Sequence, residues 1–497
     1  MADSEVACPV CMLEYNDPQL LASCGHTFCK RCVAHLRPCL CPLCRVPFQS
    51  RDVRPNYALA RMLSMLHGQA APSAPAPESH RLQAVVPLVS QALSGLTLTG
   101  QGPDLARSLA RQGVPFGIAQ LISDEDSQIA LRVFLLDNSG STATFDGKYL
   151  SPVSGSTSMQ VVPCSRWEEL CQTALRQASW NLSLGIPCEF VLLNPPGGQR
   201  GFGAFREGVD LVTVDPRSNN AQAQLAALQR MLQSTRPSGL TPLLERIQEI
   251  QARLSSTYSH LVSQGGRFVL AILTDGVPTS AGSGLPPEAA QAQVAAALRH
   301  LTTMLPVFVV VRLCTDDSPV VEYYNNLDEE EELPLEVIDD LESEAREVAA
   351  KGNSWLTYSP LIHTLREGGT LVKLLDLLDE RTLTPLEVRL LVGHLLQKED
   401  EPSLPLSDPD AFFRQAGIRL KQAPLVYDPL RQAMMPCVDM KKLRPAMRPA
   451  GHRGTSAASA CGCFAAFRGL LRQCLSVPCF PDARQPPRHH GHHHCGH

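Results

Sequence analysis

The chain has 497 residues, of which 44% are hydrophobic and 19% are charged, so it can bury more than one core and we expect roughly two to four domains. Its formal net charge of -5 provides no general attraction to nucleic acid, and we expect no nucleic-acid partner. The longest apolar runs, such as FVLAIL and PVFVVV, are far too short to cross a lipid bilayer.

The N-terminal sequence MADSEVACPVC contains no basic segment followed by an apolar one, so we expect no secretory signal. An intracellular, cytoplasmic location is therefore expected, with the nucleus as an alternative. Disulfides are rare in such reducing compartments. The 18 cysteines of the chain are accordingly expected to be metal ligands or free thiols.

Cysteines are concentrated in the first 44 residues, where one histidine lies among them in the stretch CGHTFCKRC. A disulfide has no use for an imidazole, whereas zinc accepts thiolate and imidazole ligands at tetrahedral corners. Eight residues suit two four-ligand zinc sites, which we expect to be structural because they leave no open position. Their spacing is C-x2-C, C-x-H, C-x2-C and C-x2-C, formed by Cys8, Cys11, Cys24, His26, Cys29, Cys32, Cys41 and Cys44.

Cys39 is one thiol more than these two sites require. It is an alternative to Cys41 as a ligand, but we expect it to be an unliganded thiol.

This pattern resembles the RING finger at every ligand position, and the resemblance implies interleaved zinc sites. One zinc would be held by Cys8, Cys11, Cys29 and Cys32, and the other by Cys24, His26, Cys41 and Cys44. RING fingers are best known as ubiquitin ligases, so the implied partners are a ubiquitin-conjugating enzyme and ubiquitin. Such a ligase orients the reacting groups and forms no covalent intermediate itself.

The resemblance also implies a contact surface for the conjugating enzyme. Val10, Pro42 and Leu43 would form a shallow apolar patch, and Arg45 occupies the position of a cation that pins ubiquitin against its carrier. Many active RING fingers present a tryptophan before the last ligand pair; here Leu36 is the candidate substitute. The alternative is that the apolar residues pack the finger and the arginine is simply solvated.

An amphipathic run, RPNYALARMLSMLHG, follows the finger and predicts a short helix ending near Gly68. It resembles the segment after the RING in tripartite-motif ligases, where flanking helices support dimers, so a second copy of the chain is a further implied partner. We assign 1–66 to the finger and its helix, 67–83 to an Ala/Pro-rich linker, and 84–126 to a mostly helical segment.

From residue 127 onward, apolar strand-like runs alternate with helical stretches, which predicts a doubly wound, Rossmann-like α/β sheet. The predicted strands are IALRVFLLD, EFVLLN, VDLVTVD, RFVLAILTD and PVFVVVRLC. The fold class expected for the whole chain is therefore multidomain, with a small zinc-stabilised finger and a larger α/β domain. Residues 369–447 are predicted to be helical, and 448–497 to be a disordered Cys/His-rich tail.

Oxygen-bearing side chains follow two of the predicted strands. The first strand runs into DNSGST, which gives Asp137, Ser139 and Ser141; a later strand ends in LTDG at Asp275, and SGLTPL contributes Thr241. Ligands of open α/β sheets bind at the carboxyl ends of strands. Hard oxygen donors suit magnesium or calcium.

This set resembles the metal site of the von Willebrand factor A domain, over residues 127–368. The resemblance implies one Mg²⁺ (or Ca²⁺) whose open position takes a carboxylate from a bound protein. The alternative is an inert sheet in which these residues only form turns and helix caps. An insertion, 142–165, separates the motif from the next helix and would either cap the metal face or widen the binding surface.

We therefore expect a RING-type ubiquitin ligase whose A domain recruits the substrate; the alternative is a non-catalytic zinc-containing adaptor. An enzymatic α/β domain is less favoured, because the sequence lacks a G-x-G-x-x-G motif, a P-loop and a paired nucleophile and base. Membrane contact is expected only if the tail is acylated, at Cys461, Cys463, Cys474 or Cys479.

Overall fold

The computed structural model divides into two compact units, 1–83 and 84–497, and each is described by itself. The predicted linker and C-terminal tail lie outside the described residues. The structure describes residues 8–11, 15–21, 24, 26–36, 39–49, 52–56, 103–153, 158–197, 203–279, 286–331 and 333–447.

Where the structure describes it, the N-terminal unit consists of a small antiparallel sheet in the order β2-β1-β3 and one helix. Its elements are β1 (Pro18–Leu21), β2 (Thr27–Cys29), α1 (Lys30–His35) and β3 (Val53–Pro55). The core formed by the described residues of this unit has few apolar side chains, among them Leu21, Phe28 and Phe48, packed with buried cysteines. The predicted helix is wrong at its first two residues, Arg54 and Pro55, because their backbone pairs with β1; the remainder lies outside the described residues, apart from Asn56.

A six-stranded sheet forms the centre of the second unit, in the order β11-β10-β9-β4-β7-β8. Neighbouring strands are parallel except for the edge strand β8, which runs antiparallel to β7. After β4 the chain adds β7 and β8 on one side of that strand, and it then returns to form β9 on the other side. The switch point of the sheet therefore lies between β4 and β9. The strands are β4 (Ile129–Leu136), β7 (Cys188–Leu192), β8 (Leu211–Val214), β9 (Arg267–Thr274), β10 (Val307–Leu313) and β11 (Leu335–Ile338).

Helices cover both faces of this sheet. On one face, alternate residues of β4, such as Leu131 and Val133, pack in a core shared with α6, α8 and α9. On the other face, the Arg132 side chain bonds to Asn181 of α4. The predicted α/β alternation is thus confirmed, although the sequence analysis did not predict β11. The helices are α4 (Arg166–Leu184), α5 (Ala221–Ser234), α6 (Leu243–Thr257), α7 (Ser259–Ser263), α8 (Pro287–Met304) and α9 (Ser318–Glu331).

The insertion between β4 and α4 forms a two-stranded antiparallel hairpin of β5 (Gly147–Pro152) and β6 (Met159–Cys164). Helix α4 then begins at a capping box, in which the Ser165 side chain accepts from the Glu168 N–H and the Glu168 carboxylate accepts from the Ser165 N–H. The insertion therefore ends at a sharply defined helix start.

The regions on either side of the α/β sheet pack against each other. Helices α2 (Pro103–Arg111) and α3 (Phe116–Glu125) precede it. Gly117 of α3 lies so close to the later helix α13 that a Cβ there would be 2.6 Å from the His394 carbonyl oxygen. The C-terminal region contains α10 (Leu341–Val348), α11 (Pro360–Glu367), α12 (Lys373–Glu380), α13 (Pro385–Leu396), α14 (Pro409–Leu420), β12 (Val426–Asp428), β13 (Ala433–Met435) and α15 (Met440–Ala446).

Within residues 369–447, for which we predicted helices, the structure has the helices α12 to α15 and also the strand pair β12–β13. Asp428 accepts hydrogen bonds from the backbone N–H groups of Leu430 and Arg431, which turns the chain locally. Among the described residues, no helix is both long and apolar enough to cross a lipid bilayer.

A buried arginine ties three parts of the second unit together. Arg132 donates to the Asp126 carboxylate at 2.8 Å and to the Gly368 carbonyl oxygen at 2.8 Å, in addition to Asn181. Both charged groups are almost fully buried. Either charged group would be costly to leave buried without its partner.

We expect Arg132→Met to lower the free energy of unfolding by about 3–5 kcal/mol, because it leaves the Asp126 carboxylate buried without its cation. Urea denaturation followed by circular dichroism measures this change. The matched control is Arg230→Met on the exposed side of α5, which should change it by no more than about 0.5 kcal/mol. Equal effects of the two substitutions would contradict this account.

Candidate functional site

Two groups of four metal-ligating side chains occur in the N-terminal unit. Within each group, the ligand atoms all lie within 4.8 Å of one another. The first group is Cys8, Cys11, Cys29 and Cys32, and the second is Cys24, His26, Cys41 and Cys44. The structure therefore brings together the residue sets that the sequence analysis assigned to two zinc ions.

Local structure explains why distant residues meet in these groups. The pairing of β1 with β2 holds Cys29 in the sheet, and the Cys29 N–H donates to the Cys8 sulfur at 3.4 Å. Cys32 follows on helix α1. In the second group the Cys41 sulfur lies 3.5 Å from His26 Nδ1. Cys39 is exposed and belongs to neither group.

The thiols of the first group differ in how readily they ionise. Burial opposes ionisation of Cys8, but backbone N–H groups of Cys11, Cys29 and Val10 outweigh it and lower its pKa to about 7. Burial, followed by the nearby Cys8 and Cys11 thiols, raises the pKa of Cys29 to about 11. Four thiolates in so small a volume repel one another unless a cation neutralises them. The donor sets fit zinc, which binds thiolate and neutral imidazole.

The residues assigned to conjugating-enzyme contact lie at the surface, with one exception. Val10 is 39% exposed and Leu43 is 55% exposed, and Pro42 and Arg45 are exposed as well. Arg45 has a left-handed backbone (φ 60°), and its N–H donates to the Cys41 carbonyl oxygen, so the ligand loop fixes its position. Leu36 is only partly exposed, because it packs against the small core.

The second unit brings oxygen atoms together at the switch point of its sheet. Asp137 follows β4 and Asp275 follows β9. The Ser139 and Ser141 hydroxyl oxygens are 3.0 Å apart, and the Ser141 hydroxyl donates to Asp275 Oδ1 at 2.8 Å. The predicted motif residues are therefore in direct contact.

Thr241 reaches the same cluster from the loop before α6. The Gly140 N–H donates to the Gly239 carbonyl oxygen, which joins this loop to the motif turn. A Cβ on Gly276 would lie 3.5 Å from Thr241 Oγ1 and 4.0 Å from Ser141 Oγ, so both hydroxyls face the same small space. The five predicted residues thus converge.

Asp137 is an almost fully buried acid of the cluster. Burial raises its pKa to about 6, against hydrogen bonds from Thr274 and Ser139 that favour the charged form. The Ser139 N–H donates to Oδ1 at 2.8 Å and the Thr274 hydroxyl to Oδ2 at 2.6 Å. A bound cation would offset this cost of burial. The donor set, which is all oxygen, fits Mg²⁺ or Ca²⁺.

Sequence reasoning missed one charged residue at this cluster. Arg166, at the start of α4, donates to Asp275 Oδ2 at 2.9 Å and holds Asp146 with two hydrogen bonds of 2.7 Å. It thereby connects the insertion to the oxygen cluster. The one signal in the sequence was that Arg166 directly follows Ser165, the residue that caps α4. Spacing along the chain does not reveal that the Arg166 side chain reaches Asp275, just after β9.

The comparisons with known proteins concern the N-terminal unit. Residues 8–42 match the family model of the RING-type zinc finger. The two four-ligand groups fit the two zinc sites of such a finger.

The similar proteins include E3 ubiquitin-protein ligases. RNF166 of Mus musculus is 40% identical over 68 residues, which cover 12% of this chain and 27% of that protein. TRIM68 of Homo sapiens is 41% identical over 68 residues, covering 12% and 14%. Tripartite motif-containing protein 5 of Saimiri sciureus is 40% identical over 70 residues, covering 12% and 14%. The chain therefore spans about a quarter or less of the length of these relatives.

We expect Cys24→Ser to lower the zinc content by at least one ion per chain, because it removes one corner of a closed site. Native mass spectrometry of the full chain measures the stoichiometry. Cys39→Ser is the matched control and should retain the zinc content of the parent, since this thiol lies outside both groups. Zinc loss from the Cys39 variant equal to that from the Cys24 variant would contradict the assignment.

Proposed function

We propose that the chain is a RING-type E3 ubiquitin ligase. The observation that carries this proposal is the pair of four-ligand groups, in a region about 40% identical to E3 ubiquitin-protein ligases. The finger holds a ubiquitin-charged conjugating enzyme, and ubiquitin passes from its thioester directly to a lysine of the substrate. The two four-ligand groups would hold zinc, which would supply a rigid fold and take no part in hydrolysis.

The exposed apolar residues beside the zinc ligands provide the docking patch in this mechanism. Val10 lies between Cys8 and Cys11, and Leu43 between Cys41 and Cys44, so each zinc group fixes one side of the patch. Arg45 adds a permanent charge with several hydrogen-bond donors next to the last ligand. The finger accelerates transfer by restricting the orientation of the thioester and the incoming amine.

The second unit, in our proposal, is a von Willebrand factor A domain that selects the substrate. Three features support this assignment: the sheet with a single reversed edge strand, the oxygen cluster at its switch point, and helices on both faces. Asp137, Ser139, Ser141, Thr241 and Asp275 would hold one Mg²⁺ or Ca²⁺. A carboxylate of the substrate would complete the coordination of that ion.

Substitutions in the patch should reduce activity without loss of zinc. We expect Leu43→Ala and Arg45→Ala each to slow self-ubiquitination by about tenfold, since truncation of a central contact costs about 1–2 kcal/mol. The assay contains activating enzyme, ubiquitin, ATP and a panel of conjugating enzymes. Arg54→Ala, an exposed cation on β3, is the matched control for the arginine and should keep the parent rate.

A parent chain that is silent with every conjugating enzyme, while both zinc ions remain bound, would contradict the ligase proposal. That outcome favours the adaptor alternative, in which the finger and the α/β domain assemble complexes without transferring ubiquitin.

Removal of one carboxylate should abolish cation binding at the oxygen cluster. We expect Asp137→Ala to lower Mn²⁺ affinity by at least about tenfold in water-proton relaxation measurements, with Mn²⁺ standing in for Mg²⁺. The matched control is Asp316→Ala, an exposed acid after β10, which should leave binding unchanged. Identical Mn²⁺ binding in the parent and both variants would contradict a metal site at the switch point.

The arginine at this cluster leads to a separate expectation. Because the Arg166 guanidinium holds one oxygen of Asp275, Arg166→Gln should raise Mn²⁺ affinity by about three- to tenfold. The same relaxation measurement tests it, and the control is Arg217→Gln, an exposed arginine elsewhere in the domain. A weaker Mn²⁺ complex in the Arg166 variant would instead mean that this arginine organises the site.

A further inference from the structure

A cavity of about 240 Å³ lies between the insertion hairpin and the C-terminal region of the second unit. Its walls come from the β5–β6 hairpin, one side of α4, the end of β10, the start of α10, α11 and the chain around β12. That volume is far larger than a single water requires and suits a small organic molecule.

The rim of the cavity is mostly apolar. Leu150 and Met159 come from the hairpin, Leu341 from α10, and Tyr427 and Pro429 from the C-terminal region. Such a lining provides a favourable environment for an aromatic or aliphatic body.

The charged side chains of the cavity are arranged in opposite pairs. Arg312 donates to Glu169 at 2.6 Å, and Lys148 lies 3.2 Å from the Asp340 carboxylate. Arg176 likewise pairs with Glu367, with 2.7 Å between nitrogen and oxygen. A ligand with a net charge would therefore have to break one of these pairs or remain without a partner.

Three residues that line the cavity carry a buried polar atom for which the described part of the chain supplies no hydrogen bond. These atoms are Gln172 Oε1, Arg312 Nε and His363 Nε2. The last two face Glu367 Oε2, at 3.8 Å from Arg312 Nε and 3.5 Å from His363 Nε2. Each residue is more than nine-tenths buried. Buried polar atoms are rarely left without a hydrogen bond, so Gln172 Oε1, which has no hydrogen-bond partner among the described residues, indicates a missing water or ligand group.

We propose that this cavity is a binding site for an uncharged small molecule with an apolar body and one hydrogen-bond donor, such as a hydroxyl, an arylamine or an amide. The apolar rim receives the body, and the polar group donates toward Gln172 Oε1. The site is separate from the zinc groups and from the oxygen cluster, and it does not depend on the ligase proposal.

The state of the histidine agrees with an uncharged ligand. Burial, together with the nearby Arg312, Arg176 and Arg366 cations, holds the pKa of His363 well below its usual range. Its imidazole is therefore neutral at physiological pH. Its Nε2 faces Glu367 Oε2 at 3.5 Å, and the neutral ring offers no charge for an anion to meet.

Two fluorescent probes with the same aromatic body test this proposal on the full chain. N-phenyl-1-naphthylamine is neutral, and 8-anilinonaphthalene-1-sulfonate carries an added negative charge. Titration with the neutral probe should give saturable binding, and the charged probe should bind at least about tenfold more weakly. Absence of binding by the neutral probe, or tighter binding by the sulfonate, would overturn the proposal.

Variants locate the bound probe. Met159→Trp and Leu341→Trp place bulk in the cavity and should each weaken binding of the neutral probe by at least about tenfold. Met304→Trp is the matched control, because Met304 is an exposed residue of α8 outside the cavity, and it should leave binding unchanged. Equal binding in all three variants would place the probe elsewhere and contradict the assignment.

Discussion

Metal coordination is the constraint on which the N-terminal unit depends. Among its described residues the core contains only a few apolar side chains, and buried cysteines pack with them. A core of this size cannot offset the conformational entropy of the chain unaided. Zinc binding and folding are therefore coupled, and the surface that would receive a conjugating enzyme exists only when both groups of ligands are held together.

A second constraint governs the α/β unit, namely that oxygen atoms must converge where two central parallel strands end. The neighbours β4 and β9 place Asp137 and Asp275 side by side, and burial there disfavours two negative charges. The structure meets this cost partly with the Arg166 guanidinium. A cation and this arginine would therefore compete for the same carboxylate. Arg166 also forms an ion pair with Asp146 of the insertion. A cation that displaced Arg166 from Asp275 would therefore also affect how the insertion is held.

The sequence predicted those features that depend on local spacing. Cysteine and histidine intervals identified both zinc groups, and continuous apolar runs identified the buried strands. Features that depend on tertiary contact were missed: β11 is short and finds its place only by pairing with β10, and Arg54 belongs to a strand because β1 lies beside it. The reach of Arg166 and the cavity beneath the hairpin likewise arise from packing between distant segments, which neither hydrophobic period nor residue spacing encodes.

The central claim is that the zinc-bound finger activates a charged conjugating enzyme. The most direct measurement is single-turnover discharge of ubiquitin from a purified conjugating enzyme to free lysine, with and without the full chain. This reaction needs no substrate selection by the second unit. The account predicts acceleration of at least about tenfold by the zinc-loaded chain with one or more conjugating enzymes, lost when the zinc is chelated. Discharge at the unassisted rate across a broad panel, with zinc bound, would contradict it.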